Sequence, residues 1–135
     1  MSYDLSVWVG ERPEDDASAG ETYEELMDIL DQEFDGDAMR PPSPEIDAYV
    51  AALLDRWPDI TGQVGEDSPW ADGPLIGNAS GDLIYFSMVW SRAEEASEVA
   101  AEIASAQGLV CYDPQLERLR PFVDAPRRRR WLRRR

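Results

Sequence analysis

The chain has 135 residues, 43% of them apolar, which suits a single domain with its own core and excludes a wholly disordered chain. It carries 28 acids against 13 arginines, with no lysine and no histidine, for a net charge of −15. The missing histidine removes Ser-His-Asp, Cys-His and histidine-zinc chemistry, and a lone cysteine allows neither an internal disulfide nor a thiolate cluster.

Residues 3–9 (YDLSVWV) alternate, so Tyr3, Leu5, Val7 and Val9 share one face of a half-buried strand and Trp8 falls on the polar face. Ser18 and Glu21 have capping-box spacing, and Tyr23, Leu26, Met27, Leu30 and Phe34 follow at helical intervals until Gly36. After Pro41 and Pro42, Ser43 caps a second helix with Pro44 at its first position and an apolar stripe of Ile46, Val50, Leu53, Leu54 and Trp57. Residues 59–73 form a long acidic loop containing Trp70. Residues 75–77 are expected as a short strand, 78–81 as a turn, and 83–90 as a strand buried on both faces that ends in a core Trp90. Ser91 and Glu94 repeat the capping-box spacing before a small-residue helix (Ala93, Ala96, Val99, Ala100, Ile103, Ala104) that ends at Gly108. Residues 109–112 close the pattern as a strand holding a buried Cys111, stopped by Asp113 and Pro114.

The order β-α-α-β-β-α-β predicts an α+β fold: a ferredoxin-like, four-stranded, mostly antiparallel sheet with helices on one face and strand 83–90 central. Residues 1–120 form the domain and 121–135 an arginine-rich tail. No apolar run approaches the ~20 residues of a membrane span. The first ten residues lack the basic start of a signal peptide, so a cytoplasmic protein without a membrane is expected.

Charge is unevenly placed. Seven arginines crowd residues 127–135, from Arg127 to Arg135. Six arginines against all 28 acids leave residues 1–126 at a net −22. Such a field repels nucleic acid and attracts basic partners. The tail itself is either a contact for nucleic acid or anionic lipid, or a segment that folds back on the acidic body.

Trp70 among Glu66, Asp67 and Asp72, together with Trp8, is the candidate partner-binding set, an exposed aromatic ringed by acids. The alternative is that both rings cap the edge of the core. Asp31, Glu33, Asp35 and Asp37 with Gly36 match the first half of a calcium loop, but Pro42 stands where its bidentate Glu belongs, so an acid-rich metal-binding module or metal-dependent enzyme is a weak second reading. No cofactor is expected.

Several stretches carry a resemblance: YDLSVW at 3–8, RWP at 56–58, GPLIG at 73–77, IYFSMVWSRAEEA at 84–96 and GLVCYD at 108–113. On these the chain resembles a group of small, mostly uncharacterised bacterial proteins, some of which look like immunity proteins of bacterial toxin systems. The resemblance bears on the fold more than on the activity and carries over no catalytic residue; joined to the acidic body and the aromatic anchors, it leads to the first reading, a non-enzymatic, immunity- or antitoxin-like protein that neutralises a basic partner. A self-associating domain, a homodimer formed through sheet edges, is the third reading.

Overall fold

The computed structural model describes residues 2–59 and 68–120. The fold is α+β. Strand β1 (Ser2–Trp8) leads to helices α1 (Asp16–Asp35) and α2 (Pro44–Arg56). A 3-10 turn (Leu75–Asn78) precedes the β2 (Ala79–Ser80) and β3 (Leu83–Val89) hairpin. A second 3-10 turn (Trp90–Arg92) enters α3 (Ala93–Ala106), and β4 (Val110–Asp113) and β5 (Arg118–Arg120) end the described chain. The sheet has five strands in the order β2-β3-β1-β4-β5, and all paired neighbours run antiparallel.

Four expectations are corrected. The strand expected at 75–77 is a 3-10 turn, and β2 falls inside the segment expected to be the turn. β5 adds a fifth strand, which a lone leucine between two arginines does not announce. The central strand is β1, which pairs with both β3 and β4. The helices cover both faces of the sheet, not one.

The two faces follow from strand alternation. Leu5, Val7, Ile84, Phe86, Met88 and Cys111 join α2 (Ile46, Tyr49, Val50, Leu53) and α3 (Ala93, Ala96, Ala100, Ala104) in one core. Trp8, Leu83, Val110, Tyr112 and Leu119 form a second core beneath α1, with Ala19 and Leu30. The alanines let α3 sit close on the first face. At Gly20 an added Cβ would stand 3.0 Å from the Tyr112 hydroxyl, so the bare backbone sets the approach of α1 to the second.

Local signals place the helices. Asp15, rather than Ser18, caps α1 by accepting the Ser18 N–H at 2.8 Å. Ser43 caps α2 as read, accepting from Ile46 N at 3.3 Å. Ser91 does not cap α3, because it lies inside the 3-10 turn and the cap position falls to Arg92.

Candidate functional site

At the open end of the first face, where β3 gives way to α3, the structure forms a groove of about 450 Å³ lined by Tyr3, Trp90, Glu94, Ser97, Leu116 and Arg120. Its floor is an ion pair. Arg120 Nη1 lies 3.1 Å from Asp113 Oδ2, and the two side chains are 7% and 0% exposed. Antiparallel pairing of β4 and β5 puts the two residues on the same face, where Arg120 opposes Cys111.

The Asp113 carboxylate is saturated. Oδ2 also accepts from the Tyr3 hydroxyl, and Oδ1 accepts from Gln115 Nε2 at 2.8 Å and Leu116 N at 3.1 Å. Burial, and then the hydrogen bond to Asp113, push the Tyr3 hydroxyl up to about 12. A buried pair whose lone pairs are all used offsets its desolvation and leaves no carboxylate oxygen to act as a base. The floor therefore shapes the site.

What remains for a ligand is the rim. Trp90 is 55% exposed and Leu116 50% exposed. Tyr3 and Trp90 pack with ring centroids 5.8 Å apart at 46°. Glu94 and Glu98, exposed and one turn apart on α3, line the same groove. Aromatic faces beside carboxylates suit a guanidinium or ammonium group.

A second groove, about 370 Å³, runs between α1 and the end of β1, lined by Trp8, Leu26, Ile29, Leu30, Glu33 and Arg40. Glu11 and Asp82 line it too, and two of its charges, Glu33 and Arg40, are joined to each other. Glu33 accepts from Arg40 Nε at 2.6 Å and from Ser80 Oγ at 2.7 Å. The Ser80 hydroxyl first, and Arg40 second, hold its carboxyl below the usual range.

The residues expected as contacts are dispersed. Trp70 is fully buried: its ring meets Trp57 and Phe86 edge-on, at 5.9 Å in each case, and Nε1 donates to the Trp57 carbonyl at 3.0 Å. Its segment runs along the outer edge of β3, through Ala71 N to Ser87 O at 2.9 Å and Val89 N to Pro69 O at 2.7 Å. Trp8 is 4% exposed, packed on Tyr112 beneath α1. The exposure expected of both rings is thus corrected. Asp72 is exposed and accepts from Asn78 Nδ2 at 3.2 Å. Glu66 and Asp67 lie outside the described residues.

Trp90, expected in the core, is the exposed tryptophan among the described residues. Alternation would turn it inward beside Met88, but β3 stops at Val89 and the 3-10 turn swings the ring out. The calcium-loop reading is also corrected. Asp31, Glu33 and Asp35 belong to the last turns of α1, where successive residues point about 100° apart, and Glu33 faces Arg40 and Ser80. Asp37 lies just beyond the helix, and no group of three or more metal-ligating side chains converges among the described residues.

Cys111 is fully buried, and burial above all raises its thiol to about 12. No helix among the described residues is long and apolar enough to cross a membrane. Comparison with known proteins finds no matching family, no similar curated protein and no similar solved structure.

Proposed function

We propose that this chain is a non-enzymatic binding domain that takes a basic protein on the Trp90 groove, in the manner of an immunity or antitoxin-like protein covering a toxin. The observation that carries the reading is the half-exposed Trp90, stacked on Tyr3, above a rim whose exposed acids are Glu94 and Glu98. The acidic body steers a cationic partner inward, and a few aromatic and aliphatic anchors hold it. Asp72, with Glu66 and Asp67, contributes to steering in this reading. The cytoplasm, with its free thiol, is the compartment this assignment implies. Self-association through sheet edges has less to support it: β2 and β5 are edge strands of only two and three residues, which offer little template for pairing.

Calorimetry of the full chain with hexa-arginine, at low and then raised salt, tests the proposal. Binding should weaken with salt, and Trp90→Ala should lower it on the order of tenfold, the scale of an anchor residue. Hexaglutamate should not bind. Equal binding by the Trp90→Ala chain removes the groove as the site.

A further inference from the structure

We infer that the groove between the N-terminal half of α1 and the β4–β5 turn is a binding site for a linear aliphatic polyamine. This site is independent of the Trp90 groove, which opens on the other face of the sheet.

The groove measures about 470 Å³ and is lined by Asp16, Glu21, Tyr23, Glu24, Tyr112 and Glu117. That volume suits a small ligand. Tyr112 is its buried wall. The residue is 3% exposed, yet its hydroxyl makes no hydrogen bond to a described residue. Ser6 Oγ is the only fully sealed side-chain oxygen or nitrogen without a partner among the described residues, so the Tyr112 hydroxyl opens to the groove. It does so beside Gly20, which also lines the groove and whose added Cβ would stand 3.0 Å from it. A hydroxyl held this deep with its lone pairs unused is a ready acceptor for a ligand's N–H.

The surrounding charges call for a cation. Asp16 is engaged by Leu119 N at 2.9 Å and by Arg118 Nε at 3.7 Å. Glu21, Glu24 and Glu117 are exposed and join none of the ion pairs among the described residues. Burial first, and the Glu117 charge next, raise the Tyr112 hydroxyl above its ordinary value, with Tyr23, Asp16 and Glu24 adding to the rise. The carboxylates thus act on one point, and the hydroxyl stays neutral beside them.

Spacing selects the shape of the cation. Glu21 and Glu24 are about 4.5 Å apart along the axis of α1, and Glu117 comes from the β4–β5 turn. These acids do not form a cage for a metal ion, since no three metal-ligating side chains converge among the described residues. Tyr23 and Tyr112 add two ring faces, with centroids 5.1 Å apart at 35°. Separated carboxylates beside ring surface match ammonium groups joined by methylene chains. The nitrogens pair with the glutamates and donate to Tyr112, while the methylenes lie on the rings. The groove beside Trp8 also has acids, Glu11 and Asp82, but its hydroxyl, Thr22 Oγ1, already donates to Ser18 O at 3.3 Å.

Calorimetry of the full chain with spermidine at low salt tests the inference. Saturable binding is expected, weakened on the order of tenfold by Tyr112→Phe, the scale of one hydrogen bond to a charged donor. Because the hydroxyl has no partner to lose, Tyr112→Phe should leave the midpoint of denaturant unfolding unchanged. E21Q/E24Q, on the helix surface, should weaken binding by a similar factor, and Trp90→Ala and E11Q/D82N should not.

No saturable binding at millimolar spermidine overturns the inference. So does equal binding by the wild type, Tyr112→Phe and E21Q/E24Q, which reduces the effect to diffuse attraction by the acidic body. Weakening by Trp90→Ala or E11Q/D82N, with Tyr112→Phe unaffected, moves the polyamine to another groove and overturns it as well. Hexalysine carries the same ammonium groups on a peptide. If it binds more tightly than spermidine and depends on Tyr112, the groove takes the lysines of a protein, and the polyamine assignment falls.

Discussion

Beneath α2 and α3 the sheet presents Leu5, Val7, Ile84, Phe86, Met88 and Cys111, sealed by Trp70 and Tyr49. Beneath α1 the same strands present Trp8, Leu83, Val110 and Tyr112, and then turn polar. On that side Asp4 accepts from Tyr85 Oη at 2.6 Å and Ser87 Oγ at 2.7 Å. Ser6 Oγ lies buried there without a hydrogen bond. Two helices cover the first face, and one covers the second. The difference teaches that the first face carries stability while the second is a lighter cladding, and that the exposed groove grows from the margin of the stronger face.

Substitutions that differ between the faces test this contrast. Trp70→Ala should have the largest effect, about 3–5 kcal/mol by denaturant unfolding, because a fully buried ring leaves a cavity that its neighbours cannot fill. A loss under 1 kcal/mol would break the contrast. Leu30→Ala, beneath α1 and 9% exposed, should cost about 2 kcal/mol, the low end for a leucine whose site can partly collapse.

The next effect is read in pH. Cys111 and Tyr3 stand on the first face, and both rise to about 12 on folding, from 9.0 and 10.0. A raised folded value means the unfolded chain loses these protons first. Their contribution is therefore full below pH 9 and is lost as pH climbs toward 12. Cys111→Ala should flatten the part of that decline that begins near pH 9. The smallest effect belongs to the second face. Ser6→Ala should lie within about 0.5 kcal/mol of wild type, or stabilise, because it removes a buried hydroxyl that has no partner.

The helices and the main strands were legible because their apolar residues keep a period: Ile46, Val50 and Leu53 on α2, and Leu5 and Val7 on β1. Trp8 was not, since an alternating strand reads as half-exposed until another element covers its other face, and the apolar stripe of α1 does not say which face it takes. β5 was hidden because Arg120 and Arg118 flank its one leucine. The candidate site was hidden for a related reason. Tyr3 and Asp113 are 110 positions apart, and Asp113 read as the end of a strand when it is the acceptor at the centre of four donors. Tryptophan burial was misassigned in both directions because exposure at Trp70 and Trp90 depends on where one strand ends and on what runs beside it.

The depth of Cys111 gives the molecule a clock of its own. On β4 this cysteine lies between Val7 of β1 and Arg120 of β5, buried in the core that α3 covers, and a thiol held at about 12 is protonated and unreactive at neutral pH. An alkylating reagent can therefore mark the chain only during moments when α3 lifts from the sheet or the whole domain opens. The rate of labelling in native buffer counts those moments directly. Measured with and without a bound cation on the neighbouring rim, it reports whether filling the groove tightens the helix on which Glu94 and Glu98 stand.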